Sequence, residues 1–311
     1  MHDLFVYTFY RFKDLKKINN TKIIFDEFLN KTKIKGTILI AHEGINCSLS
    51  GSKSELNFFI KFIKSNLRIR KLDIKINKVD YLPFNRMKVR LKKEIVSLGQ
   101  GRINVQKNTG KLIDPKDWNQ VVLNKNIRLL DIRNDFEIDI GKFQRSERPA
   151  TKSFRELPRV LKNLGLRKNE KIALYCTGGI RCEKASAFFK KKGFKNVVQL
   201  NGGIINYLDY INKKKIKSYW NGECFVFDDR VSINKNLKKG KYEQCYGCRH
   251  PITKEDIKSK HYRKGISCPN CIYWRTRSQR NRLEMRQKQI ELAEAKGVNH
   301  TFKRIRIDEN I

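Results

Sequence analysis

Residues 174–187 read LYCTGGIRCEKASA, and few local structures accommodate that order. The preceding run, KIALY over 171–175, is short and apolar, as a strand covered on both faces should be. Cys176 stands where that strand ends. Gly178 and Gly179 let the chain turn sharply with backbone N–H groups directed inward. Helical pattern follows from about 182 to 192, with Gly193 placed as its C-terminal cap. A cysteine at the carboxyl edge of a parallel strand, facing a helix N-terminus and beside Arg181, has three reasons to ionise: the helix dipole, converging N–H donors and a cation. A thiolate is the useful nucleophile, so Cys176 is the leading candidate for the chemistry. The rival reading is a buried structural thiol.

The run Cys176, Thr177, Gly178, Gly179, Ile180, Arg181 resembles the active-site loop of the rhodanese family, in which a cysteine carries sulfur as a persulfide. Arg181 joins Cys176 as a catalytic candidate, with the four residues between them as loop support. Related phosphatases have one more residue between cysteine and arginine. The shorter ring here suits a small persulfide sulfur better than a phosphoryl group.

The rest of the chain supplies a frame for this loop. Residues 3–79 read as strand (4–10), helix (21–30), two strands joined by a short turn (36–41 and 44–49), helix (52–66) and strand (72–79). The second helix opens on a capping Ser52 and carries Leu56, Phe59, Ile60 and Ile63 at helical spacing. This βαββαβ order predicts a ferredoxin-like module with an antiparallel sheet, a fold that decides no function by itself. Its central turn is unusually polar. His42, Glu43 and Asn46 are either substrate-binding or proton-transferring groups, or ordinary exposed turn residues. The basic and apolar residues of 84–91 suit either phosphate contact or an edge strand. Glycines 99, 101 and 110 mark 93–113 as a linker after a first domain over 1–92. Alternating strands and helices over 114–220, with Pro115 in the first turn of the opening helix, predict an α/β domain with a parallel sheet. Sites in such sheets lie at the carboxyl ends of strands, where Cys176 stands.

The remaining segment, 221–311, begins within an apolar and aromatic stretch over 219–228 that suits a strand, turns polar and lysine-rich over 234–241, which marks a boundary, and then presents Cys245-x-x-Cys248 and Cys268-x-x-Cys271. Two such pairs supply four thiolates at a spacing suited to a structural zinc ion, with His250 and His261 as reserve ligands. The rival readings are redox dithiols or ordinary cysteines. Residues 273–296 are strong helix formers with many arginines. Over 235–307 there are 20 basic side chains against 6 acidic ones. Arginines beside Tyr273 and Trp274 suit phosphate pairing and base stacking, whereas the bland alternative is a solvated helix. The whole chain carries a formal charge of +38. Such a field attracts nucleic acid, although a general richness in Lys, Asn and Ile contributes to it. With 311 residues there is room for two or three domains. No apolar run approaches the roughly 18 residues of a membrane span. The N-terminal apolar stretch is too short for a secretory signal, so a cytoplasmic protein with no membrane partner and reduced cysteines is expected.

Taken together, GTILIAHEGIN (36–46), RMKVR (86–90), CTGGIRCEKASAFF (176–189) and NGGIINY (201–207) resemble the bacterial tRNA uridine hydroxylase family that carries a rhodanese-like domain. The resemblance covers roughly 3–230. It implies an acylphosphatase-like N-terminal module, tRNA as partner, molecular oxygen as co-substrate, and 5-hydroxyuridine at the wobble position as product. Carried over, Cys176 is the active-site cysteine and can form a persulfide. The family's Asp-x-Arg-Asn motif is present at Asp131, Arg133 and Asn134, followed by Glu137 and Gly141. Arg133 is thereby a candidate for substrate binding. Lys142 stands where the family usually has histidine. Thiolate attack at carbon 6 of uracil would make carbon 5 electron-rich and open to oxidation. The sequence names no electron donor for that step. Two other classes stay open: a sulfurtransferase, which needs only the Cys176 loop, and a non-catalytic RNA-binding protein.

Overall fold

The computed structural model describes residues 3–298. The first strands are β1 (Leu4–Phe12), β2 (Lys35–Ala41), β3 (Gly44–Ser52), β4 (Ile74–Val79) and β5 (Met87–Leu91). Helices α1 (Ile18–Leu29) and α2 (Lys53–Asn66) lie between them in the chain. The strands form one sheet in the order β4-β1-β3-β2-β5. The first four pair antiparallel, as the βαββαβ reading requires, and β5 adds to the edge parallel to β2. Ser52 ends β3 and caps α2, its side chain accepting the Glu55 N–H. The period of two separates the sheet's faces. Tyr7, Phe9, Ile38, Ile40, Cys47 and Leu49 pack with Phe25, Leu56, Phe59 and Ile63 of the helices. Thr8, Tyr10, Thr37, Asn46 and Ser48 alternate with them on the opposite, more polar face and are half-buried.

Residues 93–113 are not a free linker. Ile95, Leu98, Ile103 and Val105 are buried in a core shared with Phe12 and Ala41 on one side and Leu130, Leu174 and Phe188 on the other. The short helix α3 (Val105–Asn108) leads into β6 (Lys111–Ile113), which pairs parallel with the last strand of the central sheet. The three glycines obscured this spacing of apolar residues, whose burial cements the two domains.

The central domain runs through α4 (Pro115–Leu123), β7 (Ile127–Asp131), α5 (Asp135–Ile138), β8 (Gly141–Phe143), α6 (Leu157–Val160), β9 (Lys171–Tyr175), α7 (Ile180–Lys191), β10 (Asn196–Leu200) and α8 (Gly203–Lys214). Its sheet is parallel, in the order β6-β10-β9-β7. On β9, Ile172 and Leu174 pack with α7, while Ala173 and Tyr175 pack with α4 and α8. That two-sided cover is why KIALY is apolar at every position after its lysine.

The domain does not end at 220. Trp220 in β11 (Trp220–Gly222) pairs with Phe143 of β8. The hairpin β12 (Cys224–Phe225) and β13 (Ser232–Ile233) follows, and Cys224, Val226 and Ile233 complete the core around Trp118 and Tyr207. The change of unit falls in the lysine-rich stretch 234–241, between β13 and the next strand, where the change of composition marks a boundary. The cysteine module then holds β14 (Glu243–Gln244), β15 (Pro251–Ile252), α9 (Lys254–Lys258) and α10 (Arg277–Ala295). It docks on the central domain through His250 stacked on Phe136 at 4.7 Å and Tyr246 Oη donating to Asp229 at 3.1 Å. Thr276 caps α10 in a box with Gln279, so the helix starts after Tyr273 and Trp274 and leaves both exposed. The end of the basic segment, 299–311, lies outside the described residues.

Candidate active site and cysteine centre

The loop from Cys176 to Gly179 hangs between two helix N-termini. The Gly179 N–H donates to Cys176 Sγ at 3.2 Å as α7 begins. From the other side, the first-turn N–H groups of Ile204 and Ile205 in α8 donate to the Cys176 and Thr177 carbonyls at 3.0 and 3.2 Å. Gly179 has φ +98°, and a Cβ there would lie 2.9 Å from Tyr10 Oη. Only glycine allows both the turn and that approach.

Burial alone pushes the Cys176 thiol up. The Cys182 thiol, the Arg181 guanidinium and the Gly179 and Cys182 N–H groups outweigh it, and the pKa is brought down to about 5. The group is therefore a thiolate at neutral pH. Alkylation by a small reagent such as iodoacetamide should be half-maximal near pH 5 and flat above about pH 6, whereas an ordinary thiol titrates near 8.5. A midpoint above pH 7, read by peptide mass spectrometry, would contradict this. The sign for stability follows: the folded pKa lies below the unfolded one, so the contribution is full above the unfolded pKa and is lost as pH falls through about 5.

Arg181 is held from behind. Its Nη1 and Nη2 donate to the two oxygens of Glu137 at 2.6 and 2.7 Å, and Thr177 Oγ1 donates to the same carboxylate at 3.3 Å. Burial raises the Glu137 pKa, but Arg181 and then Arg133 overcome it and keep the group charged. Below lies a second buried pair. Arg133 gives Nε and Nη2 to Asp131, and Nη1 and Nη2 to the Glu137 and Gly141 carbonyls. Arg133 is wholly buried and its donors are engaged, so it is no substrate ligand. The motif Asp131-x-Arg133-Asn134-x-x-Glu137 is the framework that sets Arg181 beside the thiolate.

Cys176, Thr177, Gly178, Ile180 and Arg181 line one wall of a cleft of about 720 Å³, and the polar face of the N-terminal sheet is the opposite wall. Asn46 is part of that wall, its amide donating to the Ile95 carbonyl at 3.1 Å. Its two neighbours in the motif are elsewhere. His42 is exposed, with Nδ1 2.9 Å from the Leu15 carbonyl. Glu43 accepts from Lys184 Nζ at 2.8 Å and the Ile95 N–H at 2.7 Å, tying the two domains together. Neither borders the cleft. Several groups that sequence reasoning passed over do matter to it. Tyr10 lines the cleft and donates to Glu183 at 2.7 Å, and burial raises that carboxyl. Lys75 reaches in beside Tyr10. Phe227, 63% exposed, stands at the rim with the Arg181 guanidinium 5.9 Å over its ring. No local pattern marks these positions. Only Glu137 carried a signal, through its motif.

The four cysteines of the tail do meet. Their sulfurs lie within 4.8 Å of one another, and Cys248–Cys268 and Cys268–Cys271 are each 3.8 Å apart. A tetrahedron with Zn–S bonds of about 2.3 Å has edges of about 3.8 Å, so donor type and spacing both fit a structural zinc ion. His250 and His261 are not needed: the first stacks on Phe136, and Nε2 of the second lies 3.2 Å from Tyr273 Oη.

Residues 4–95 match the UPF0176 acylphosphatase like domain, and 111–209 match the Rhodanese-like domain. A rhodanese-related protein from Thermoplasma volcanium is 26% identical and covers 32% of this chain and 92% of its own, with a TM-score of 0.27. The tRNA uridine(34) hydroxylase of Pelagibacter ubique is 47% identical over 96% of this chain and 98% of its own length. That of Picosynechococcus sp. is 44% identical over 95% and 99%. At that identity over nearly the whole length of both partners, the chain belongs to the tRNA uridine(34) hydroxylase family.

Proposed function

We propose that this protein hydroxylates carbon 5 of uridine 34 in tRNA, with molecular oxygen as co-substrate and Cys176 as the nucleophile. One observation carries the reading: a cysteine whose pKa is brought down to about 5 lines the wall of a cleft large enough for a nucleotide. Cys176 adds to carbon 6 of the uracil, and negative charge develops across carbon 5 and the adjacent carbonyl. Carbon 5 is then the position that meets oxygen, and elimination of Cys176 restores the ring. Arg181 and the α7 N-terminus stabilise the departing thiolate. Lys75 supplies a cation on the sheet side, and the Tyr10–Glu183 pair holds a proton above the loop.

The test is nucleoside mass spectrometry of tRNA from cells lacking the gene, complemented with this chain. Return of 5-hydroxyuridine at position 34 supports the reading. Its absence, or a thiolated nucleoside in its place, overturns it. The sulfurtransferase reading needs no base-sized cleft facing the loop, and the binding-only reading leaves the lowered thiol without a role.

Phe227 is the aromatic a flipped base would stack on. Phe227→Ala is expected to raise KM for tRNA about tenfold with a smaller change in kcat, since base stacking contributes about 1–3 kcal/mol. Steady-state kinetics on tRNA checks this. An unchanged KM removes Phe227 from the substrate contact.

The cysteine module fits a second part of the reading. With zinc bound by Cys245, Cys248, Cys268 and Cys271, it presents Tyr273 (79% exposed) and Trp274 (57% exposed), the latter with Arg275 at 4.7 Å over its ring. Aromatic and guanidinium planes of this kind suit RNA. A colorimetric chelator should release one zinc ion per chain and make the module sensitive to trypsin, because structural zinc supplies about 10–16 kcal/mol of folding energy in small domains. Full trypsin resistance after chelation would count against a zinc staple. No described helix is long and apolar enough to cross a membrane, and a tRNA substrate is met in the cytoplasm.

A further inference from the structure

Putting one oxygen atom on carbon 5 and reducing the other to water consumes two electrons and two protons beyond the C–H bond itself. Two thiols release that number when they close a disulfide. We infer that Cys182 is the second catalytic thiol of this enzyme, and that Cys176 and Cys182 together supply the two electrons of each turnover by closing a disulfide.

Cys182 is the third residue of α7 and is wholly buried in the same apolar cluster as Cys176. The N-terminus of α7 faces Cys176, with the Gly179 N–H donating to its sulfur at 3.2 Å, and Cys182 lies in the first turn of that helix, where its thiol and N–H help hold the Cys176 pKa down. The two are free thiols. Burial first, and then the neighbouring thiolate, push the Cys182 pKa well up, so it stays protonated. One thiolate beside one neutral thiol is the pairing that oxidises stepwise to a disulfide. Cys47 and Cys224 are also buried, but in other cores, whereas Cys176 and Cys182 share one. Cys176 borders the cleft and Cys182 does not, so an external thiol reopens the bond through Cys176.

The balance closes as follows. Uridine, oxygen and two S–H groups give 5-hydroxyuridine, water and one S–S bond. Oxygen adds at carbon 5 as a hydroperoxide, and elimination from carbon 6 frees the Cys176 thiolate. That thiolate attacks the outer oxygen, the O–O bond breaks, and Cys176 becomes a sulfenic acid while the inner oxygen stays on carbon 5. The Cys182 thiol displaces the sulfenic oxygen as water. Carbon 5 is oxidised by two electrons, the two sulfurs together by two, and oxygen is reduced by four.

This inference rests on the hydroxylase reading. The test uses full-length protein, reduced and then freed of reductant, mixed with equimolar tRNA in oxygenated buffer and quenched with an alkylating agent. Trypsin cuts after Lys171, Arg181 and Lys184, so the disulfide joins peptides 172–181 and 182–184. The expected result is about one 5-hydroxyuridine per linked peptide pair. Without tRNA, formation of the linked pair should be far slower. Cys182→Ser should lower product at least tenfold under these conditions, roughly the loss expected for a group taking part in the chemistry. Product formed while both cysteines are recovered alkylated overturns the inference, as does a linked pair that forms equally fast without tRNA. The peptide readout on the wild type stands even where Cys182→Ser misfolds. No product from the wild type with excess dithiothreitol overturns the hydroxylase reading, and the inference with it. Product that appears only with dithiothreitol, with no linked pair at any time, overturns the inference alone.

Discussion

Cys176→Ser is expected to lower 5-hydroxyuridine formation by on the order of a thousandfold or more while leaving the fold in place. Serine occupies nearly the same volume and still accepts the Gly179 N–H. Its hydroxyl does not ionise near neutral pH, so it cannot add to carbon 6. The structural cost is small because Arg181 keeps its bidentate partner Glu137, and the carbonyls of residues 176 and 177 still cap α8. Two measurements separate chemistry from folding: the initial rate on U34-containing tRNA and the thermal unfolding midpoint. A variant that retains the wild-type rate would remove Cys176 from the mechanism. One that loses both rate and fold would mean that the thiolate chiefly holds the loop together.

The second large effect is expected at Glu137. Its carboxylate is wholly buried and answers Arg181 directly, with Arg133 close behind. Removing one partner of such a pair leaves an uncompensated charge in the interior, at a cost of about 3–5 kcal/mol. Glu137→Ala should lower the denaturation midpoint accordingly, and Glu137→Gln somewhat less, since it keeps an acceptor. The thiol should respond the other way. With its counter-charge gone, Arg181 acts more strongly on Cys176, and the midpoint of the alkylation profile moves below the wild-type value of about 5. An unchanged denaturation midpoint together with an unchanged alkylation profile would show that Glu137 neither holds Arg181 nor tempers it.

Much of this site was open to reading from local order. KIALY followed by a cysteine, two glycines and a helix pattern specifies a strand, a turn and a helix N-terminus within twenty residues, and the thiolate follows from their junction. The two CxxC pairs work similarly, because short spacing confines each pair and leaves only the meeting of the pairs to the fold. Arg133 and Glu43 show the limit. Each is a charged residue in a conspicuous motif, and each is consumed in internal pairing. A charged side chain looks alike in sequence whether it faces a ligand or a buried partner. The stretch 93–113 failed for a related reason: its glycines suggest a loop, while Ile95, Leu98, Ile103 and Val105 follow no period and declare themselves only when two cores close on them.

By itself, then, the sequence determined the elements, their order, the strand-to-helix loop that carries Cys176 and the two CxxC pairs, all of which arise from neighbours within a few turns of chain. The tertiary structure alone decided the opposing wall of the cleft and the partners of its charged groups. Arg181 meets Glu137 across 44 residues, and Tyr10 meets Glu183 across 173. Such contacts depend on how the polar face of one sheet is presented to the loop of another, and side-chain periodicity along a single strand says which residues share a face but not what that face will meet.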